Sequence, residues 1–291
     1  MNCPNCKFVN TKYLYKYRDS KGENFDLRCT SLDYQKPNLI KCGGCDLIFS
    51  DLCDLKFENL YQDVVDDLYI DQIPFKKKYF EITLSKVKKY LDKSKDVLEI
   101  GSYYGIFGSL ISPNVKSYTG LELSGHAVNF AKKKYNLNFL NLTINEYFKN
   151  LNNIDIIIMS HVIEHMDDVF NNLDNIKSKM SKESVLIFST YNMDSLIAKI
   201  LGKNYHWIMP MHKFYFSKKV LKKILEEKNL EIVETISDTH IISLKYFFIK
   251  LQKILPFFKF LFNTIAKLPF LSKINIKINL GDLDIYFVKI K

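Results

Sequence analysis

The chain is predicted to adopt an α/β fold, a mainly parallel sheet with helices on both faces, and three features predict it. Apolar runs of strand length alternate with stretches of helical period from Phe75 onward. The run Asp96-Val97-Leu98-Glu99-Ile100 breaks into a glycine turn, Gly101-Ser102-Tyr103-Tyr104-Gly105, and restarts as a helix. The run 154–159 is continuously apolar, as a central strand covered on both faces must be. At 291 residues and 47% hydrophobic content, the chain can bury the core of one such domain and carry a small appendage.

The elements follow in order. Residues 1–60 form a separate module: Cys3-Pro4-Asn5-Cys6 and Cys42-Gly43-Gly44-Cys45 each aim two thiolates at one point. Four sulfurs complete a tetrahedron and leave no open position, so Cys3, Cys6, Cys42 and Cys45 are read as ligands of a structural zinc ion in a zinc ribbon. A strand-like stretch (8–17) and a polar turn (19–24) separate the pairs. Cys29 and Cys53 have no partner at this spacing and are expected to be packing cysteines. Phe80, Leu84, Val87 and Leu91 repeat at helical spacing over 75–91. Gly101 and Gly105 permit conformations and close approaches that a Cβ would block, and the next helix offers free N–H groups. A second strand over 115–123 ends in Glu122, about 20 residues downstream, the spacing of a ribose-binding carboxylate. Ser124 caps the helix 124–135, and 137–142 is a third strand. The central strand delivers Ser160 and His161 to its carboxyl end, where ligands of open α/β sheets bind. After a fifth strand (184–190) and a helix ending at Leu201, the loop 202–216 gathers Tyr205, His206, the single Trp207 and His212. Strand six covers 230–236 and the last strand 283–290.

The order VLEIGSYYG, YTGLELS, IDIIIMSHVIEH resembles the class I S-adenosylmethionine-dependent methyltransferases over about 75–233. The resemblance implies a Rossmann-like, seven-stranded mixed sheet in a domain spanning 75–240, with 241–291 adding a helical insertion and the final strand. It also implies that Glu99, Gly101, Ser102 and Gly105 hold the methionine end of S-adenosylmethionine. Glu122 with Leu123 holds the ribose, Asn141 lies near adenine, and Ser160 and His161 lie beside the sulfonium. Tyr103 is a departure, since the family has a small residue there. A dinucleotide site would need GxGxxG, which GxxxG does not fit. His161 to His165 spell HxxEH, a zinc-hydrolase pattern, but they follow a buried strand at the methyltransferase acceptor position. No NPPY-like motif of base amino-methylases follows that strand.

A ribbon ahead of this domain resembles bacterial methyltransferases of sugars or other small polar metabolites, and also a branch that methylates ribosomal RNA. In the first group Tyr191, His206 and Trp207 would contact a small-molecule acceptor, a sugar or nucleotide-linked sugar, for O- or C-methylation. An oxygen or carbon nucleophile needs a base, for which His212 and His161 are the candidates. RNA methylation is the alternative, and a non-catalytic scaffold is a third reading. The net charge of +10 comes almost wholly from scattered lysine, with only Arg18 and Arg28 as arginines, so nucleic acid is the weaker partner. No charged segment followed by an apolar stretch and cleavage site opens the sequence, so secretion is not expected, and no uncharged apolar run approaches about 20 residues. Paired CxxC cysteines suit a reducing compartment, so a cytoplasmic location is expected. Within 241–271, Leu244, Phe247, Phe248, Leu251, Ile254 and Leu255, and then Phe258, Leu261, Phe262 and Ile265, form two apolar stripes with lysines opposite. Such stripes pack on their own domain or a homo-oligomer partner, or lie on the inner face of the membrane.

Overall fold

The N-terminal cysteines sit on a small antiparallel sheet, β1 (Thr11–Tyr15), β2 (Leu39–Cys42) and β3 (Ile48–Ser50), in a computed structural model. The structure describes residues 1–17, 26–31, 34–149, 153–254, 256–272 and 274–291. The polar turn expected over 19–24, and Leu255 of the first tail stripe, lie outside the described residues. Two short helices, α1 (Glu58–Tyr61) and α2 (Asp67–Asp71), lead to α3 (Ile73–Val87). Asp66 caps α2 by accepting from the Tyr69 N–H, and Pro74 sits in the first turn of α3, where its missing N–H costs nothing.

Strands and helices then alternate: β4 (Asp96–Ile100), α4 (Ile106–Ile111), β5 (Ser117–Leu121), α5 (Gly125–Tyr135), β6 (Asn138–Leu140), α6 (Ile144–Phe148), β7 (Ile156–Ser160), α7 (Val169–Ser178) and β8 (Val185–Tyr191). Next come α8 (Leu196–Leu201), β9 (Phe214–Tyr215), α9 (Lys218–Glu227) and β10 (Leu230–Ser237). An excursion follows, β11 (His240–Ser243), α10 (Leu244–Ile254), α11 (Lys259–Ala266) and β12 (Asn275–Ile278), before β13 (Leu283–Ile290). The main sheet has the order β10-β13-β8-β7-β4-β5-β6, parallel from β8 to β6 and antiparallel where β13 enters. It is therefore the seven-stranded mixed sheet expected, with β7 in the middle. Side chains alternate along each strand into two cores. Leu98, Ile157, Met159 and Leu186 pack under Phe148, Leu173, Val220 and Ile224 on one face. Val97, Ile156, Ile158 and Ile187 pack under Val87, Phe107, Ile111 and Val128 on the other.

Two features depart from the sequence reading. Residues 240–243 pair antiparallel with 275–278, so helix begins only at Leu244. The β-branched pair Ile241-Ile242 takes the strand instead, and the two tail helices hang from that ribbon. Second, β3 pairs with β9, Ile48 opposite Tyr215 and Phe49 opposite Phe214. The cysteine module thus shares a sheet with the chain just after His212, and Leu47 and Phe49 join the same core as Met166 and Phe214. No described helix is long and apolar enough to cross a membrane.

Candidate functional site

The donor side is built almost entirely from backbone. After β4, Gly101, Tyr103 and Gly105 all take left-handed conformations, with φ of 72°, 45° and 75°. A Cβ on Gly101 would lie 2.5 Å from Val162 Cγ2, and one on Gly105 would lie 2.5 Å from Phe139 Cζ and 2.8 Å from Ala131 Cβ. Glycine is therefore required at both ends of the turn. The N–H groups of Gly101 and Ser102 donate to the Leu121 carbonyl at 2.8 and 2.9 Å, which ties the turn to the end of β5. Ser102 Oγ donates to the same carbonyl at 3.3 Å.

Glu122 completes the cradle. Its Oε2 accepts the Tyr103 N–H and its Oε1 the Ser124 N–H, both at 2.8 Å. Each oxygen keeps a further lone pair, which two ribose hydroxyls can use. Burial pushes this carboxyl up, and the Ser124 and Tyr103 N–H groups pull it back. Asn141 Nδ2 donates to the carbonyls of Glu122 and Leu123 at 3.0 and 2.6 Å, which fixes the rim between β5 and β6. Glu99 lies beneath the turn, 2% exposed, where it accepts the Tyr118 hydroxyl at 2.5 Å. Tyr103 is accommodated through its side chain. Its hydroxyl donates to Asp66 Oδ2 at 3.1 Å, and its ring meets Tyr69 and Tyr104 edge-on, with centroids 4.6 Å apart in both cases.

The side expected to face the acceptor is built from side chains. His161 follows β7 with φ 55°, and its N–H is anchored to the Ser189 carbonyl of β8 at 3.2 Å. Its Nε2 lies 3.0 Å from the Tyr79 hydroxyl, which lies 3.0 Å from Asp238 Oδ2. Asp238 is paired with Lys86 at 2.5 Å. The phenol has one proton and gives it to the carboxylate, so Nε2 must carry the imidazole proton. Nδ1 is left as the free lone pair, and it is buried with no hydrogen-bond partner. Tyr191 packs between His161 and His212, with ring centroids at 5.1 and 5.7 Å, and stacks on Trp207 at 4.1 Å. His206 packs between Tyr205 and Trp207, 5.0 Å from each. His212 is 4% exposed, with Nδ1 2.8 Å from the Trp207 carbonyl. Ser160 closes β7 one residue before His161.

Several groups around these two sides are desolvated although they are not fully buried. Cys29 is exposed rather than packed in a core as its sequence context suggested, and desolvation still pushes its thiol up to about 11. Desolvation lowers half-buried His161 to about 3 and His165 to about 4, so both rings are neutral at physiological pH. Lys76, one turn before Tyr79 on α3, is lowered by the same cause, and its ammonium lies 5.1 Å over the Tyr69 ring. Sequence reasoning missed Lys76, Tyr79 and Asp238, and gave His165 no role beyond the HxxEH letters. The first two share the face of α3 beside its apolar stripe, which is the only local signal they carry.

The two cysteine knuckles are alike in detail. Cys3 N donates to Phe8 O and Cys42 N to Leu47 O; Lys7 N donates to Cys3 O and Asp46 N to Cys42 O. Lys7 and Asp46, each following the second cysteine, are left-handed at φ 59° and 62°. The four sulfurs lie within 4.8 Å of one another, with Cys3–Cys45 and Cys6–Cys42 at 3.5 Å. A tetrahedral zinc with Zn–S of about 2.3 Å fits this spacing. The Gly44 N–H donates to Cys42 Sγ at 3.3 Å, as a metal-bound thiolate favours. Four cysteines together can hold a structural zinc.

Residues 75–235 match the family model for a methyltransferase domain. The fold is similar to that of an S-adenosylmethionine-dependent methyltransferase of Archaeoglobus fulgidus, with a TM-score of 0.51 and 20% identity over 78% of this chain and 100% of that one. A Thermotoga maritima S-adenosylmethionine-dependent methyltransferase gives a TM-score of 0.51 and 17% identity, covering 81% of this chain and 98% of that one. No curated protein matches the sequence. A glycine turn that only glycine can make and a carboxylate with spare lone pairs at the end of the second parallel strand both fit S-adenosylmethionine. The chain belongs to the methyltransferase domain family and is an S-adenosylmethionine-dependent methyltransferase.

Proposed function

We propose that the protein methylates an oxygen or an acidic carbon of a small polar acceptor, a sugar or nucleotide-linked sugar. The observation that carries this reading is the free Nδ1 lone pair of His161, whose ring packs on Tyr191 of the Tyr191–Trp207 stack. Bound S-adenosylmethionine supplies an electrophilic methyl group on sulfur. His161 accepts the acceptor proton at Nδ1, and its Nε2–H leans on Tyr79, behind which Asp238 compensates the charge. Of the two histidines expected to act as base, His161 is the better placed, because His212 is buried behind Tyr191. Tyr191 and Trp207 offer flat apolar faces that suit the C–H face of a sugar and exclude water. Lys76 places a positive charge near the glycine turn, suited to the carboxylate of the donor. Purified protein incubated with methyl-labelled donor and fractionated host extract tests the reading. Label in a small, nuclease-resistant product supports it, and label confined to RNA overturns it.

RNA methylation is supported by one feature, the exposed ribbon face, where Val9 and Tyr13 lie open and Lys16 covers the Tyr13 ring at 4.5 Å. Binding through that face would weaken steeply with salt. The tail is assigned to a contact surface, since Phe257 and Phe260 are 95% and 86% exposed around exposed Lys259. Sedimentation distinguishes a second copy from flotation on anionic vesicles.

A further inference from the structure

We propose that Glu164, His165 and His212 form a second metal site, for one divalent transition-metal ion at the acceptor end of the cleft. The HxxEH pattern suggests two histidines one helical turn apart, but 161–165 is not helical. The left-handed His161 turns to Tyr79, and His165 instead meets His212, which arrives from the loop before β9. The two imidazoles lie with centroids 4.6 Å apart at 83°. One ligand atom from each of Glu164, His165 and His212 lies within 4.8 Å of the others.

Three further observations point to a cation. Glu164 is 2% exposed; its Oε2 accepts the Thr190 hydroxyl at 3.0 Å, while Oε1 is buried with no hydrogen-bond partner. His161 Nδ1, 3.8 Å from Oε1, is equally unpartnered. A buried carboxylate oxygen left so costs free energy that a metal ion returns. Second, both imidazoles are oriented as metal ligands usually are, with one ring nitrogen facing a main-chain carbonyl. His212 Nδ1 faces Trp207 O at 2.8 Å, and His165 Nδ1 faces Met211 O at 3.1 Å, with the Tyr61 hydroxyl at 3.2 Å from the same nitrogen. A carbonyl cannot donate, so Nδ1 carries the proton in each ring and Nε2 keeps the lone pair. Third, the site is braced. The N–H groups of Lys213 and Phe214 donate to the Glu164 carbonyl at 2.8 and 3.2 Å, and Lys213 is ion-paired with Asp167.

Two nitrogens and one carboxylate oxygen suit manganese, iron, cobalt or zinc, and leave positions open for ligands from outside the protein. The inference rests on the methylation reading given above for what fills those positions: two neighbouring acceptor oxygens. A metal-held hydroxyl loses its proton to His161 Nδ1, the oxygen pair forms the bond to the methyl carbon, and the carbon–sulfur pair leaves with sulfur.

The full-length protein is titrated with manganese(II) and cobalt(II), ions that compete poorly with zinc for four thiolates. Equilibrium dialysis counts the bound ion, and the fluorescence of Trp207, the only tryptophan and the carbonyl partner of His212, reports its place. One saturable equivalent that quenches Trp207, with affinity reduced about 10- to 100-fold in both H165A and H212A, is expected. Absence of saturable binding at millimolar metal, or binding unchanged in the H165A/H212A double variant, overturns the site. Circular dichroism and calorimetry with S-adenosylmethionine on each variant show whether fold and donor binding persist. A failed metal site is thereby told apart from a failed methyltransferase reading.

Discussion

The two sides of the cleft are built on different principles. The donor side comes from two short segments, the turn 101–105 and Glu122 to Ser124, and apart from the Glu122, Ser102 and Asn141 side chains its contacts are N–H groups and carbonyls. The acceptor side draws His161 from the end of β7, Tyr191 from β8, Trp207 and His212 from the loop before β9, Tyr79 from α3 and Asp238 from the end of β10. Backbone geometry can hold the same donor under many sequences. A site made of side chains from five segments can change its acceptor one residue at a time, while the fold stays. The cysteine module adjoins the proposed acceptor side, because β3 pairs with the strand that follows His212.

That contrast predicts effects of different kinds. The largest belongs to the acceptor side: His161→Ala should lower turnover by about 10²- to 10⁴-fold at saturating donor, the usual contribution of a general base. Donor affinity, read by calorimetry, should stay within a few-fold; a parallel loss of donor binding would erase the distinction. Next comes the brace between the module and the acceptor loop. Lys213 is fully buried against Asp167 and lies 4.7 Å over the Phe57 ring, so Lys213→Met leaves the buried Asp167 carboxylate without its counter-charge, held only by the Phe57 and Glu58 N–H groups. Chemical denaturation should show a loss of about 3–5 kcal/mol. On the donor side, Gly105→Ala forces a Cβ into Phe139 at a left-handed residue, a strain of about 1–3 kcal/mol. Donor binding should weaken about tenfold or more, since 1.4 kcal/mol is a factor of ten.

The smallest effect is a pH dependence. Burial pushes the Glu99 carboxyl up from 4.5 to about 8, against the pull of the Tyr118 hydroxyl. Between these values the folded protein keeps a proton that the unfolded chain has released. The stabilising contribution is therefore complete below about pH 4.5 and is lost as pH rises to about 8. Glu99→Gln cannot titrate, so its melting temperature should fall less between pH 5 and 8 than that of the wild type.

What could be read from sequence follows the same division. The strand-turn-helix at 96–108, the carboxylate at 122 and the paired cysteines are local patterns, and each was found where the fold places it. The partners of His161 could not be found this way. Tyr79 and Asp238 are 82 and 77 positions from it in the chain, and neither carries a local motif. The HxxEH letters alone would imply a helix carrying both histidines; the buried strand ahead of them argued against that reading, and 161–165 is not helical, with His161 left-handed. The 240–243 strand was hidden because Ile241 and Ile242 also extend the apolar stripe of the helix that follows.

The central claim is that the turn at 101–105 and Glu122 seat S-adenosylmethionine. Isothermal titration of the full-length protein with S-adenosylmethionine tests it most directly, alongside Glu122→Ala checked for intact secondary structure. Stoichiometric, saturable binding by the wild type that disappears in the variant is predicted. A wild-type protein that binds no donor, or a Glu122→Ala variant that binds it equally well, would contradict the account.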